Sequence, residues 1–220
     1  MGESGNRSRG GPSAVRWFGL VLAALTLAVA AFLAFLYAKT DDGQTAQAPA
    51  AASGELARFA SGPLARLQTS ASPRPAPDYS FQDAEGNTLD FAAFRGQVTV
   101  VNLWAMWCLP CRTELPTLAA LAEAYEDRGL RVVAVNVEQG EAEIANARSF
   151  IGVHEPLAFY SDPRFELPFR LFEDPADRGK MPQTVILDRE GHIVAGLIGE
   201  ADWNSPEARA LIEHLLAQPT

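Results

Sequence analysis

The feature that most constrains the fold of this chain is the position of its only two cysteines. Cys108 and Cys111, separated by two residues, lie in the stretch WAMWCLPCRTELP, after the β-branched run QVTVVNLWA. That run is typical of a buried central strand, and the apolar periodicity after it predicts a helix from Leu109 to about Arg128. The cysteine pair is therefore expected where a buried strand ends and a helix begins.

Three roles are open to a cysteine pair with this spacing. A structural disulfide would close a very short loop, whereas the stabilisation from a disulfide grows with the length of that loop. A structural zinc site needs four ligands, and the three histidines are scattered at positions 154, 192 and 214. Two thiolates alone suit copper(I). A redox couple fits the junction best, because unpaired amides and the positive end of the helix dipole favour a thiolate at Cys108.

In the redox interpretation, Cys108 attacks a partner disulfide and Cys111, one helical turn further on, resolves the mixed disulfide. Pro110 suits the first turn of the helix and stiffens the loop that it forms with Leu109. Trp107 is expected to border the active face, where it shields the thiolate or contacts a partner. This chemistry needs the Cys108–Cys111 disulfide and no other cofactor or metal.

A long uncharged apolar run precedes the predicted domain. As a helix, residues 17–38 would span about 33 Å, enough for a bilayer core. Arginines precede the run and acidic residues follow it, which places residues 1–16 in the cytoplasm and the remainder outside. A cleaved signal peptide is the alternative, since Ala46-Gln47-Ala48 offers an A-x-A site, but the run exceeds the usual signal-peptide core of about 7–15 residues. We therefore expect a single-pass anchor.

Residues 39–77 are rich in Ala, Pro, Ser and Thr, a composition typical of a linker. Within this segment four apolar residues recur near helical spacing: Leu56, Phe59, Leu64 and Leu67. They predict one or two short amphipathic helical turns, either docked on the domain or lying on the membrane.

Residues 78–220 carry a mixed α/β pattern. A β-hairpin is predicted to turn at residues 83–87, and the order β-α-β-α-β-(α)-β-β-α follows. The predicted fold class is therefore α/β, with a central mixed sheet flanked by helices on both faces. The net charge of −9 and the lack of a basic block make nucleic acid an unexpected partner.

The motifs themselves resemble a known family. WCLPC preceded by VVNLWAM resembles the thioredoxin superfamily, and NLWAMWCLPCRTELP is more specifically similar to its membrane-anchored TlpA/ResA-like branch. APDYSFQDAEGNTLDFAAFRGQ, GKMPQTVILDREGHIV and GEADW also resemble that branch, so the similarity runs from about Pro75 to the C-terminus. It implies a thioredoxin fold with an N-terminal β-hairpin extension and an inserted helix.

The resemblance also implies roles for particular residues. Pro182, after Met181, matches a cis-proline beside the disulfide; the alternative is an ordinary trans proline at a strand start. Glu114 matches a glutamate near the thiols that would accept the proton of Cys111; the alternative is a first-turn glutamate that answers the helix dipole. Asn102 stands where many thioredoxins carry a proton-moving aspartate. The residues expected to surround the site are Trp107, Leu109, Pro110 and Met181.

Members of this branch carry out thiol-disulfide exchange in the periplasm, usually in the reducing direction. The resemblance therefore implies a single-pass protein of the bacterial inner membrane with its catalytic domain in the periplasm. Its clients would be disulfide-bearing proteins of cytochrome c or cytochrome oxidase copper-site maturation, and its electrons would come from a membrane donor of the DsbD/CcdA type. The alternative function is a copper(I)-binding assembly factor that holds the metal with the C-x-x-C thiolates.

Overall fold

The computed structural model describes three parts of the chain: residue 25, residues 27–32 and residues 53–218. Residues 27–32 are helical. Within the described residues, no helix has both the length and the apolar character needed to cross a membrane. The predicted cytoplasmic segment 1–16, most of the predicted span 17–38 and residues 39–52 lie outside the described residues, so those assignments stay predictions.

Eight strands form one mixed sheet in the described part of the chain. They are β1 (Gln68–Pro75), β2 (Phe81–Gln82), β3 (Thr88–Leu89), β4 (Val98–Trp104), β5 (Leu130–Asn136), β6 (Tyr160–Ser161), β7 (Gln183–Leu187) and β8 (His192–Ile198). Their order across the sheet is β1-β8-β7-β4-β5-β6-β2-β3. The pairs β4–β5 and β5–β6 are parallel, and the others are antiparallel.

Three α-helices lie within residues 53–218, and the first begins at Leu109, as predicted, but ends before the expected Arg128. They are α1 (Leu109–Ala124), α2 (Glu141–Ile151) and α3 (Pro206–Leu216). Four short 3-10 turns add to these: Glu55–Phe59, Gly62–Leu64, Phe91–Phe94 and Leu167–Phe169. The predicted hairpin is also confirmed, because β2 and β3 pair around the turn at residues 83–87 and β2 pairs onward with β6.

Strand β4 sets the position of everything around the cysteines. All seven of its residues are buried, and it lies between parallel β5 and antiparallel β7. Asn102 of β4 faces Ala134 on one side and Thr184 on the other. The ends of β4 and β5 and the beginning of β7 therefore meet at one edge of the sheet, where α1 starts.

The structure corrects the predicted linker, which was expected to run to residue 77. Strand β1 lies within that range and pairs antiparallel with β8. The preceding 3-10 turns bury Leu56 and Leu64, so the amphipathic turns dock on the domain. The composition was misleading because β1 is a bulged edge strand, and most of its QTSASPRP side chains face solvent. Edge strands and bulges tolerate proline.

We predict that Leu64→Ala lowers the free energy of unfolding by about 2–5 kcal/mol, the usual cost of emptying a fully buried leucine site. Leu64 has 0% exposure although it lies in a segment whose composition is typical of a linker. Denaturant unfolding followed by tryptophan fluorescence measures the change. The control is Ala65→Ser at the exposed neighbouring position, expected within about 0.5 kcal/mol of wild type. Equal effects of the two variants would mean that the segment is not part of the cooperative unit.

Candidate active site

Cys108 and Cys111 form a disulfide across the first turn of α1, with Cα atoms 5.3 Å apart. Cys108 is the residue that precedes the helix, and its Sγ accepts the backbone N–H of Cys111 at 3.3 Å. Cys111 is fully buried, whereas Cys108 keeps 6% of its surface exposed. Cys108 is therefore the sulfur that a partner can reach, and it lies where helix-tip amides stabilise a thiolate.

The segment before β7 closes another side of the site. The Met181–Pro182 peptide bond is cis, as the family resemblance predicted, and the trans alternative is wrong. Pro182 is buried and its carbonyl accepts the N–H of Gly199 at 2.9 Å. Because Gln183 of β7 pairs with Leu103 of β4, this proline lies at the sheet edge from which α1 begins.

Glu114 is buried one turn along α1 from Cys111, at 1% exposure. Its Oε1 accepts the side-chain N–H of Asn102 at 2.7 Å. Its Oε2 accepts the backbone N–H of Ala201 and the indole N–H of Trp203, each at 3.2 Å. The carboxylate thus faces three fixed donors inside the protein, an arrangement that a glutamate serving only the helix dipole would not need.

Burial raises the pKa of Glu114 to about 7, and the three hydrogen bonds oppose that shift only in part. The side chain can therefore hold or release a proton near neutral pH. Asn102 also donates to Thr184 Oγ1 at 2.9 Å, and its own Oδ1 is buried without a partner. The amide nitrogen of Asn102 therefore bridges the Glu114 carboxylate on α1 and Thr184 on β7. An aspartate at this position would add a second buried charge.

Glu138 is a site residue that the sequence analysis missed. It lies just beyond β5, is 5% exposed, and its Oε1 accepts the backbone N–H of Met106 at 2.6 Å. This bond fixes the loop between β4 and Cys108. A signal for it existed, because parallel strands β4 and β5 end at the same edge of the sheet, so a carboxylate just past β5 falls beside the loop after β4.

The predicted surrounding residues divide into exposed and half-buried ones. Trp107, Leu109 and Pro110 are exposed beside Cys108, whereas Met181 is half-buried against the core. Pro110 lies in the first turn of α1, as predicted. Across the described ranges, no group of three His, Cys, Asp or Glu side chains is placed to hold a metal ion.

These features define a class of protein. A buried strand that leads through C-x-x-C into a helix, a parallel neighbour strand, and a cis-proline before an antiparallel strand pair are the arrangement of the thioredoxin superfamily. Within it, the chain belongs to the AhpC/TSA family, whose model matches residues 73–195.

Named relatives agree with this assignment. The chain is 27% identical over 124 residues to thiol-disulfide oxidoreductase ResA of Bacillus subtilis, a match that covers 56% of this chain and 65% of the relative. It is 30% identical over 125 residues to ResA of Geobacillus thermodenitrificans, covering 54% of this chain and 64% of the relative. The chain therefore spans a little less than two thirds of the length of both.

A solved structure extends the comparison to the fold. A candidate thiol:disulfide interchange protein DsbE from Chlorobium tepidum superposes with a TM-score of 0.56 at 25% identity, covering 66% of this chain and 97% of that one. Together with the two curated relatives, it shows that the domain is similar to proteins named thiol-disulfide oxidoreductase ResA and thiol:disulfide interchange protein DsbE.

We predict that Glu114→Gln changes how stability depends on pH. The pKa of Glu114 is raised from its ordinary 4.5 to about 7, so the stability from its protonated form is fully present below pH 4.5 and is lost as pH rises through 7. The glutamine variant has no such loss. Relative to wild type it should therefore gain on the order of 2 kcal/mol between pH 5 and pH 8 in denaturant unfolding.

The matched control is Glu123→Gln, an exposed position on the same helix. Its stability difference from wild type should stay flat over that pH range. A Glu114→Gln difference that is equally flat would show that Glu114 titrates like a solvent-exposed carboxylate.

Proposed function

We propose that this protein is a membrane-tethered thiol-disulfide oxidoreductase that reduces client disulfides outside the cytoplasm. The observation that carries the proposal is the Cys108–Cys111 pair at the tip of α1, in which Cys108 keeps 6% of its surface exposed and Cys111 is fully buried. A pair with unequal access suits a reaction in which one thiol attacks and the other resolves.

The exchange proceeds through two sulfur displacements. The Cys108 thiolate attacks one sulfur of the client disulfide, and the other client sulfur leaves as a thiolate and takes up a proton. The Cys111 thiol gives its proton to the Glu114 carboxylate and attacks Cys108 Sγ, which releases the second client sulfur. That sulfur takes up a proton in turn. The client gains two electrons and two protons, and the Cys108–Cys111 disulfide forms.

Glu114 suits the role of proton acceptor because its pKa of about 7 leaves it partly ionised at neutral pH. Both Glu114 and Cys111 are buried on α1, three residues apart, so they share one side of the helix. Glu114 is therefore a base within the protein that can take the proton of the buried Cys111 thiol, where bulk water has no access.

The proposed client class is supported by the names of the relatives and by the sequence resemblance. Two relatives carry the name ResA and one solved structure carries the name DsbE. Together with the sequence resemblance, these names support clients of cytochrome c or cytochrome oxidase copper-site maturation. Because each turnover leaves the enzyme oxidised, a membrane dithiol donor of the DsbD/CcdA type would restore the reduced pair.

The tether is supported by the sequence. The uncharged run 17–38 and the basic residues before it favour a single inner-membrane span with the domain in the periplasm. A reporter enzyme that is active only outside the cytoplasm, fused after residue 52, should be active and should sediment with membranes. Activity in the soluble periplasmic fraction would instead support a cleaved leader.

The exchange chemistry predicts that Cys111→Ser accumulates a covalent complex with clients, because the first displacement occurs and the resolving thiol is absent. Non-reducing electrophoresis of cells that express the variant should show complexes that dithiothreitol removes. Cys108→Ser is the matched control and should trap far less, since the remaining thiol is buried.

The midpoint potential of the wild-type pair tests the direction of transfer. A reductant is expected near or below thioredoxin's roughly −270 mV, whereas a value near about −120 mV would make the protein an oxidant. The same reduced protein should reduce insulin disulfides.

A further inference from the structure

The folded unit exposes few large apolar side chains, and most of them lie near the disulfide. Within residues 53–218, four are exposed: Trp107 (60%), Leu109 (64%), Val153 (75%) and Phe169 (49%). Trp107 and Leu109 flank Cys108 in sequence. Exposed apolar surface that is gathered at one place marks a binding surface more often than scattered residues do.

Phe169 joins this surface through a third ring. The ring centroids of Trp107 and Phe165 are 6.3 Å apart, and those of Phe165 and Phe169 are 5.8 Å apart, both edge-on. We refer to Trp107, Phe165 and Phe169 as the aromatic strip. It begins beside the attacking cysteine and extends onto the segment between β6 and β7.

The strip is held in place by a backbone conformation that L-residues rarely adopt. Phe165 has φ +55°, a left-handed conformation that a residue other than glycine keeps only where the surrounding structure enforces it. Buried Asp162 supplies that enforcement, because its Oδ2 accepts the backbone N–H groups of Glu166 and Leu167 at 2.9 and 2.8 Å. The carbonyl of Asp162 also accepts the N–H of Phe165 at 3.1 Å.

Asp162 is in turn fixed by Tyr79, whose hydroxyl donates to Oδ1 at 2.6 Å. Burial raises the pKa of Tyr79 to about 12, so the phenol stays a donor at physiological pH. The guanidinium groups of Arg164 and Arg170 lie 4.6 and 4.9 Å from the centre of its ring. The loop that carries Phe165 and Phe169 is therefore anchored to the segment before β2.

A glycine lets the strip lie close to the cis-proline segment. A Cβ atom at Gly179 would come within 2.8 Å of Phe169 Cε1, and the φ of +75° at this glycine also disfavours other residues. Gly179, three residues before Pro182, therefore lies directly against Phe169. The strip thus extends from Trp107, beside Cys108, to the segment that leads into the cis-proline.

Two ion pairs lie beside Phe169. Glu166 lies 2.8 Å from Arg170, and Asp177 lies 3.0 Å from Lys180. Because these four charges are paired, they offer little to attract a charged ligand. Its chemistry favours apolar side chains.

We propose that the aromatic strip binds an apolar stretch of the client polypeptide that lies next to the cysteine under attack. This proposal rests on the proposed reductase function. The client is the expected ligand because the strip begins next to Cys108. A client sulfur that reaches Cys108 brings its neighbouring residues over Trp107. An extended chain advances about 3.3 Å per residue, so two ring-to-ring steps correspond to roughly three or four residues from the client cysteine.

The test uses two chromogenic peptides that differ only in their side chains near a single cysteine. Each carries the cysteine as a mixed disulfide with 5-thio-2-nitrobenzoate. One has leucine and phenylalanine within four residues of the cysteine, and the other has serine at both positions. In a single turnover, the reduced full-length protein in detergent should release 5-thio-2-nitrobenzoate from the apolar peptide with a higher second-order rate constant; no reductant is added, so each molecule reacts once. The ratio of the two rate constants should fall roughly tenfold in Phe169→Ser, as for the loss of one large apolar contact.

A substitution that changes the reactivity of the Cys108 thiol affects both peptides equally, so it leaves the ratio unchanged. Val153→Ser, which removes an exposed apolar side chain that is not part of the strip, should keep the wild-type ratio. A wild-type ratio near one, or an equal loss of ratio in both variants, would overturn this inference while leaving the reductase proposal intact. If wild type reduces neither peptide and does not reduce insulin, both proposals fall together.

Discussion

The burial of β4 between a parallel and an antiparallel neighbour is the constraint on which the rest of the domain depends. A strand with no exposed residue can be accommodated only in the middle of a sheet that is covered on both faces. Its pairing with β5 and β7 then brings three chain segments to one edge: the loop to Cys108, the residues after β5, and the cis-proline before β7. Helix α1 starts at this edge, and its free amides provide the electrostatics of the site.

The buried carboxylates show how the protein handles charge near two thiols. Burial removes most of the water around the Glu114 carboxylate. Hydrogen bonds from Asn102, Ala201 and Trp203 compensate for this loss only in part. That imbalance raises the pKa of Glu114 to about 7, so the carboxylate is a usable base near neutral pH. If the side chain were fully exposed, or if hydrogen bonds fully offset its burial, the pKa would not be raised. Glu138 has a different function, because its bond to Met106 holds the loop in place.

The segments outside the family match contribute to the same unit. The first two 3-10 turns, Glu55–Phe59 and Gly62–Leu64, cover the side of the domain formed by β8 and α3 together with β1, and they bury Leu56 and Leu64. In the proposed tethered protein, the chain that leaves the membrane would therefore end on the domain well before residue 78.

The sequence by itself determined the local features of this protein. The C-x-x-C pair at a strand-to-helix junction, the start of α1 at Leu109, and the β2–β3 hairpin all follow from short-range patterns of apolar and turn-forming residues. The cis bond before Pro182 and the importance of Glu114 came from family resemblance, because spacing alone does not specify the isomer of a peptide bond or the burial of a glutamate.

Tertiary structure alone decided the contacts between distant segments. Nothing local in QTSASPRP indicates a strand, since β1 exists only because β8 offers it an edge. Likewise, Trp203 reaches Glu114, Glu138 reaches Met106 and Asp162 reaches Tyr79 across long stretches of chain. The physical reason is the same in each case: burial and hydrogen-bond partners are properties of the packed chain, and the pKa of Glu114 is set by both.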